Sequence, residues 1–144
     1  MTLDIRFFPV AGTHELTDEL TGLRANFLYG SGNVLQQWYV SPDTIVWRGM
    51  SGYFVGVEQR EPSLRVFKLG EKRYFSTWYE AGTVATAAHG QVFDGGYPIA
   101  VVIDLENLIA TAAYTNPRED GGQYVLVDQA TIEILEPAAG PASP

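Results

Sequence analysis

Residues 73–83 read RYFSTWYEAGT, and the way this stretch is resolved decides the fold. Two aromatic pairs, Tyr74–Phe75 and Trp78–Tyr79, flank Ser76–Thr77, and the run is closed by Ala81–Gly82. That is the pattern of a β-strand ending in a turn. Side chains on a strand alternate between two faces. Tyr74, Ser76, Trp78 and Glu80 therefore share one face, and Phe75, Thr77 and Tyr79 take the other. The same rule puts Leu35, Gln37 and Tyr39 opposite Val34, Gln36, Trp38 and Val40, and it sets Ile45 and Trp47 against Thr44, Val46 and Arg48.

Working outward, strand-like runs follow one another from residue 25 onward: ANFLYG, NVLQQWYV, TIVWRG, GYFVGVEQ, SLRVFKL, KRYFSTWYE, TVATAAHG, PIAVVID, LIATAAYT, QYVLV and ATIEIL. Turn chemistry separates them, as in GSG at 30–32, SPD at 41–43 and DGGYP at 94–98. Short strands joined by short turns, without alternating helices, predict an antiparallel meander. Closing such a meander into a barrel removes its exposed edges. Both faces of many strands are apolar, which predicts a lined lumen with a covered exterior. Upstream, THELTDELTGL (13–23) spaces Leu16, Leu20 and Leu23 by four and three residues behind a capping Thr13, and predicts a short helix. The expected organisation is an N-terminal extension over 1–24, a barrel over 25–137 and a disordered Pro/Ala/Gly-rich tail over 138–144.

Composition narrows the function. The chain has 144 residues, enough for one domain with a sizeable core, and 46% of them are hydrophobic. It has no cysteine, which excludes disulfides, thiolate metal sites and a cysteine nucleophile. A formal charge of −8 with nine basic residues argues against nucleic acid and against an anionic membrane surface. No apolar run is long enough for a spanning helix, and MTLDIRFFPVAG lacks the pattern of a secretory signal, so a cytoplasmic location is expected. His14 and His89 are far apart and lack ligand spacing, so no metal is expected. No phosphate-cradling motif appears, and no cofactor is expected.

Four sets of residues carry a resemblance. FLYGSG, TIVWRGMSG, VFKLGEKRYFSTWYEAGT and, near the end, YVLVDQATIEIL, in that order, resemble the phenolic acid decarboxylases, which are small lipocalin-like (calycin) barrels. VVIDLENLIATAAY also resembles the MoaF-type barrels, relatives in that superfamily, and AHGQVFDGGYPIAV, around 87–100, reads as an insertion. The resemblance implies an all-β antiparallel lipocalin-like (calycin) β-barrel, a homodimer paired through its outer face, and Glu80 as the acid that protonates a substrate held in the lumen. Tyr29 falls on one of the family's substrate-holding tyrosines. Phe27 falls on the other and lacks its hydroxyl, Val57 falls on the arginine position, and Leu35 falls on a further tyrosine position. A buried carboxylate needs opposing charge or several donors, so these replacements turn the expected substrate toward a neutral molecule.

The expected function is cofactor-independent lyase or isomerase chemistry on a small apolar or aromatic ligand. Glu80 and Tyr29 are the catalytic pair. Phe27, Leu35, Gln37, Tyr39, Ile45, Trp47, Val57, Tyr74 and Trp78 are the lining, with His89 near the mouth. The alternative is a non-catalytic binder that uses the same lumen.

Overall fold

The computed structural model describes residues 6–10, 12–80, 85–86, 91–92, 97–117 and 120–139. The strands are β1 (Arg24–Tyr29), β2 (Val34–Ser41), β3 (Thr44–Ser51), β4 (Glu58–Glu61), β5 (Arg65–Gly70), β6 (Arg73–Glu80), β7 (Ala85–Thr86), β8 (Gln91–Val92), β9 (Tyr97–Asp104), β10 (Ile109–Pro117) and β11 (Gln123–Glu136). Nine of them form one sheet in the order β4-β3-β2-β1-β11-β10-β9-β6-β5, antiparallel at every pairing. β7 and β8 make a separate small ladder.

The two ends of this sheet, β4 and β5, are consecutive in the chain and joined by Pro62–Leu64. A flat sheet cannot bring its outermost strands that close, so the sheet curls, and the result is a half-barrel of calycin type. No ladder joins β4 to β5 among the described residues. A side chain seals the corner in place of a ladder. β5 ends its pairing with β6 at Arg65↔Thr77. Beyond it, the Tyr79 amide donates to Ser63 Oγ at 2.9 Å, and Ser63 Oγ donates to the Tyr79 carbonyl at 3.1 Å. The Leu64 amide reaches the Asp43 carbonyl in the β2–β3 turn at 3.1 Å.

The alternation read from the sequence matches the concave face. Ala25, Phe27, Tyr39, Ile45, Tyr74, Trp78, Val101, Ile103 and Ile132 are all buried. On the convex face, Trp38, Val102, Val125, Val127 and Ile109 are exposed. Among the described residues no helix is long and apolar enough to cross a membrane.

Two expectations are corrected. No helix forms over 13–23, and the fold carries no short N-terminal helix among its described residues. Residues 15–17 instead run antiparallel along the free edge of β5. Leu16 bridges Phe67, the Thr17 amide donates to the Val66 carbonyl at 2.9 Å, and the Lys68 amide donates to the Glu15 carbonyl at 2.8 Å. The unpaired edge of β5 outcompetes an isolated helix of barely three turns, which is marginal in water. Leu20 and Leu23 are buried as expected, but from a turn, while Leu16 is half exposed.

The second correction is at GYFVGVEQ, which is strand only from Glu58. Residues 52–57 form a loop in which Gly52 and Gly56 take φ of 86° and 83°. Such values suit glycine and interrupt a strand. The loop folds back so closely that a Cβ on Gly49 would collide with the Phe54 carbonyl. Of the strand expected over TVATAAHG, Ala85–Thr86 is paired, with β8. The single strand β11 replaces the two expected over QYVLV and ATIEIL.

Gly49→Ala is expected to destabilise the protein by about 1–3 kcal/mol through this overpacking. Urea unfolding monitored by circular dichroism reads the change, and an unchanged midpoint would show that the loop yields freely.

Candidate functional site

β6 carries Glu80 at its end, one strand-pair away from Trp78 on the same inward face. Across the curled sheet stand Tyr29 at the end of β1, Leu35 and Gln37 on β2, and Trp47 on β3. Together with Phe54, Ile99, Tyr114 and Thr115 these side chains wall a narrow cavity at one end of the lumen. Its volume is about 20 Å³, room for one water-sized centre.

Phe54 contributes to that wall from the 52–57 loop. Its ring meets Trp47 edge-on at 5.6 Å and Tyr53 at 5.1 Å. It belongs to a small apolar cluster with Trp47 and Val57, outside the main core. The loop that carries it turns at two positive-φ glycines, Gly52 and Gly56.

Glu80 is the carboxyl on the cavity wall. Burial pushes its carboxyl up to about 8, and the neighbouring Glu61 adds to the rise. The Trp78 indole N–H works the other way, lying near enough to favour the carboxylate slightly. It does not reach the geometry of a full hydrogen bond. Glu61 is fully buried, faces Ile45 across the β3–β4 ladder, and is hydrogen-bonded by the Gln59 amide. The same corner that joins β4 to β5 thus sets a second carboxyl beside the first. At pH 7 Glu80 is predominantly protonated and can give up a proton.

Tyr29 is buried, and its hydroxyl pKa is raised by that burial first and by Tyr39, Tyr114 and Asp128 next. It stays a neutral donor. Its ring lies 5.6 Å from that of Tyr114. Tyr114 belongs to a polar knot absent from the sequence reading: its hydroxyl donates to Asp128 Oδ2 at 2.6 Å, and Asn33 Nδ2 donates to Tyr114 Oη at 2.9 Å. Ser31 Oγ donates to the same carboxylate. Burial and the Asp128 carboxylate push the Tyr114 hydroxyl up to about 12. This knot pins the 30–33 turn against β10 and β11 at the cavity's rim.

Of the expected lining, the structure brings Glu80, Tyr29, Leu35, Gln37, Trp47 and Trp78 together on the cavity wall. The others are placed elsewhere. Phe27, Tyr39 and Ile45 face inward but are packed in the main core. The Tyr39 hydroxyl lies 3.0 Å from Ser76 Oγ and 3.3 Å from Gln37 Oε1. Val57 backs Trp47 and Phe54 without touching the cavity. Tyr74 shares the face of Glu80 but sits at the opposite end of the lumen. Its hydroxyl donates to Glu19 Oε1 at 3.0 Å, and the Glu19 carboxylate also pairs with Lys68 at 2.8 Å. His89 lies outside the described residues.

The sequence reading missed Phe54, Ile99, Tyr114, Thr115 and Glu61. Glu61 was legible by parity, since Gln59 and Glu61 alternate with Glu58 and Arg60. Phe54 was not, because its loop breaks the period. Among the described residues no cluster of acids and histidines could hold a metal ion.

An antiparallel sheet curled about a lumen, with its acidic and aromatic groups turned inward, defines a calycin-like barrel protein. The sequence model of the MoaF C-terminal domain family matches residues 14–93, more than half of the chain, and the chain belongs to that family. The match runs from the segment that covers β5 through β6 to the 81–96 connection. No curated protein matches the chain in sequence.

A raised carboxyl couples to stability. Between about pH 4.5 and 8 the unfolded chain has released a proton that folded Glu80 retains, so stability falls as pH rises and levels off above 8. The slope is at most about 1.4 kcal/mol per pH unit. Urea midpoints measured from pH 5 to 9 should show this decline, and Glu80→Gln should flatten it and exceed the parent's stability at pH 8.

Proposed function

We propose that this protein is a cofactor-independent enzyme of lyase or isomerase type, acting on a small neutral apolar or aromatic molecule bound in the lumen. Glu80 is its proton donor and acceptor, and Tyr29 orients the ligand through its hydroxyl. The observation that carries the reading is a carboxyl with its pKa near 8 on the wall of the cavity. A group that titrates near neutrality can both give and take a proton during turnover.

The lining also bears on the substrate. None of the described residues on the cavity wall is a lysine or arginine. A free carboxylate would enter without a counter-charge, and burying it unpaired is costly. That favours proton-shift isomerisation, dehydration or cyclisation of a neutral compound over decarboxylation of a phenolic acid. The second reading, a binding protein without turnover, uses the same wall and asks no proton transfer of Glu80.

Wash-in of solvent deuterium tests the first reading directly. Neutral β,γ-unsaturated ketones and vinyl phenols incubated with the protein in D₂O should acquire deuterium at carbon. Glu80→Gln should slow that exchange by about 10²–10⁴-fold with ligand affinity retained. Exchange equally fast in the variant would sink the role of Glu80, and binding without exchange in the parent would establish the binder.

A further inference from the structure

Four buried side-chain polar atoms among the described residues have no hydrogen-bond partner: Thr21 Oγ1, Trp47 Nε1, Trp78 Nε1 and Thr115 Oγ1. Three of the four, those of Trp47, Trp78 and Thr115, belong to residues that wall the one cavity holding Glu80. Buried donors in folded proteins are nearly always satisfied, and each exception calls for a reason. Here the exceptions are gathered in one place.

The two indoles are the informative members. Trp47 and Trp78 are only 2% and 3% exposed. An indole N–H can donate and cannot accept, so whatever completes these groups must present acceptor lone pairs. Two protein acceptors lie nearby. Gln37 Oε1, which faces Trp47 across the β2–β3 ladder, lies within reach of the Tyr39 hydroxyl. The Glu80 carboxyl approaches Trp78 without completing a hydrogen bond. Trp47 comes from β3 and Trp78 from β6, near opposite ends of the sheet order, and only the curl puts them on one cavity.

We propose that the Trp47 and Trp78 indole N–H groups form a two-donor anchor for the carbonyl oxygen of a neutral, otherwise apolar ligand. This deepens the reading of the lumen as a ligand site and rests on it. A carbonyl oxygen carries two lone pairs and can take both donors at once. The remaining wall, Leu35, Phe54 and Ile99, is apolar, and because the cavity of about 20 Å³ has room for one water, a hydrocarbon body enters only as this wall gives way. With no cation among the described residues of the wall, the anchored group is a ketone, aldehyde or enone, not a carboxylate. Thr115, with a hydroxyl free to donate, adds a third contact to an oxygen so placed. The anchor also sets that oxygen beside Glu80, where a proton moved to or from the adjacent carbons would develop charge on an atom already held by donors.

The test uses the full-length protein and two probes of nearly the same shape, acetophenone and ethylbenzene. Acetophenone should bind at least tenfold more tightly by calorimetric titration. In ¹H–¹⁵N spectra the indole N–H signals of Trp47 and Trp78 should move downfield on binding, while that of Trp38, on the convex face, stays in place. Trp47→Phe and Trp78→Phe should each reduce the preference for the ketone and together abolish it. Retained ethylbenzene binding would show that the variants are folded. Equal affinity for the two probes in the parent overturns the proposal. So do indole signals unmoved at saturation with ketone, or failure of the parent to bind either probe at millimolar concentration. The two readings fail separately. A ketone preference without deuterium exchange keeps the anchor and removes catalysis by Glu80, whereas exchange without the preference does the reverse.

Discussion

The geometry of this protein depends on one covalent constraint: the two outermost strands of the sheet are neighbours in the chain. Pro62–Leu64 must span from β4 to β5, so seven intervening strands of the sheet have to curl until their ends meet. Ser63 makes the junction tolerable by giving the Tyr79 backbone both a donor and an acceptor where a strand partner is lacking. The free edge of β5 is covered in turn by residues 15–17. Everything lumenal follows from the curl, including the approach of Glu61 to Glu80 and of Trp47 to Trp78.

The concave face divides into three zones that treat polar groups differently. In the middle, the buried Tyr39 hydroxyl bonds Ser76 and lies within reach of Gln37, whose side chain also edges the cavity. At the far end, Tyr74, Glu19 and Lys68 close a network open to solvent. Around the cavity, by contrast, two indoles and a threonine are left without partners, and a carboxyl is held away from its ordinary ionisation. Interior polar groups are expensive unless paired, and a fold able to pair those of its middle has concentrated the cost at one end.

The sequence made the alternation of faces legible, because strand parity is a local property, but parity does not say which face turns inward, and the expectation that Trp78 and Glu80 line the lumen came from the resemblance. The sequence misled at 13–23, where a leucine spacing suited to a helix was overridden by the unpaired edge of β5, a partner some fifty positions downstream. It was silent on Phe54, whose burial comes from a loop turned back by Gly52 and Gly56. Tyr74 shows the limit of parity itself: sharing a face with Glu80 does not mean sharing a site, since a strand of eight residues runs from one end of the lumen to the other.

The position of β11 has a further consequence. This last strand lies in the middle of the sheet, and it alone ladders β1 to β10. Without it the chain holds two separate meanders, β1–β4 and β5, β6, β9 and β10, linked through the 62–64 corner. During synthesis, a ribosome that has released residues up to about 120 has exposed both halves of the lumen wall with nothing to zip them. Pairing Phe27 with Ile132 closes a loop spanning most of the chain, and such long-range closures slow folding. The lumen is therefore completed only when β11 has emerged and docked, and until then the inner faces of both halves are open to any apolar surface nearby.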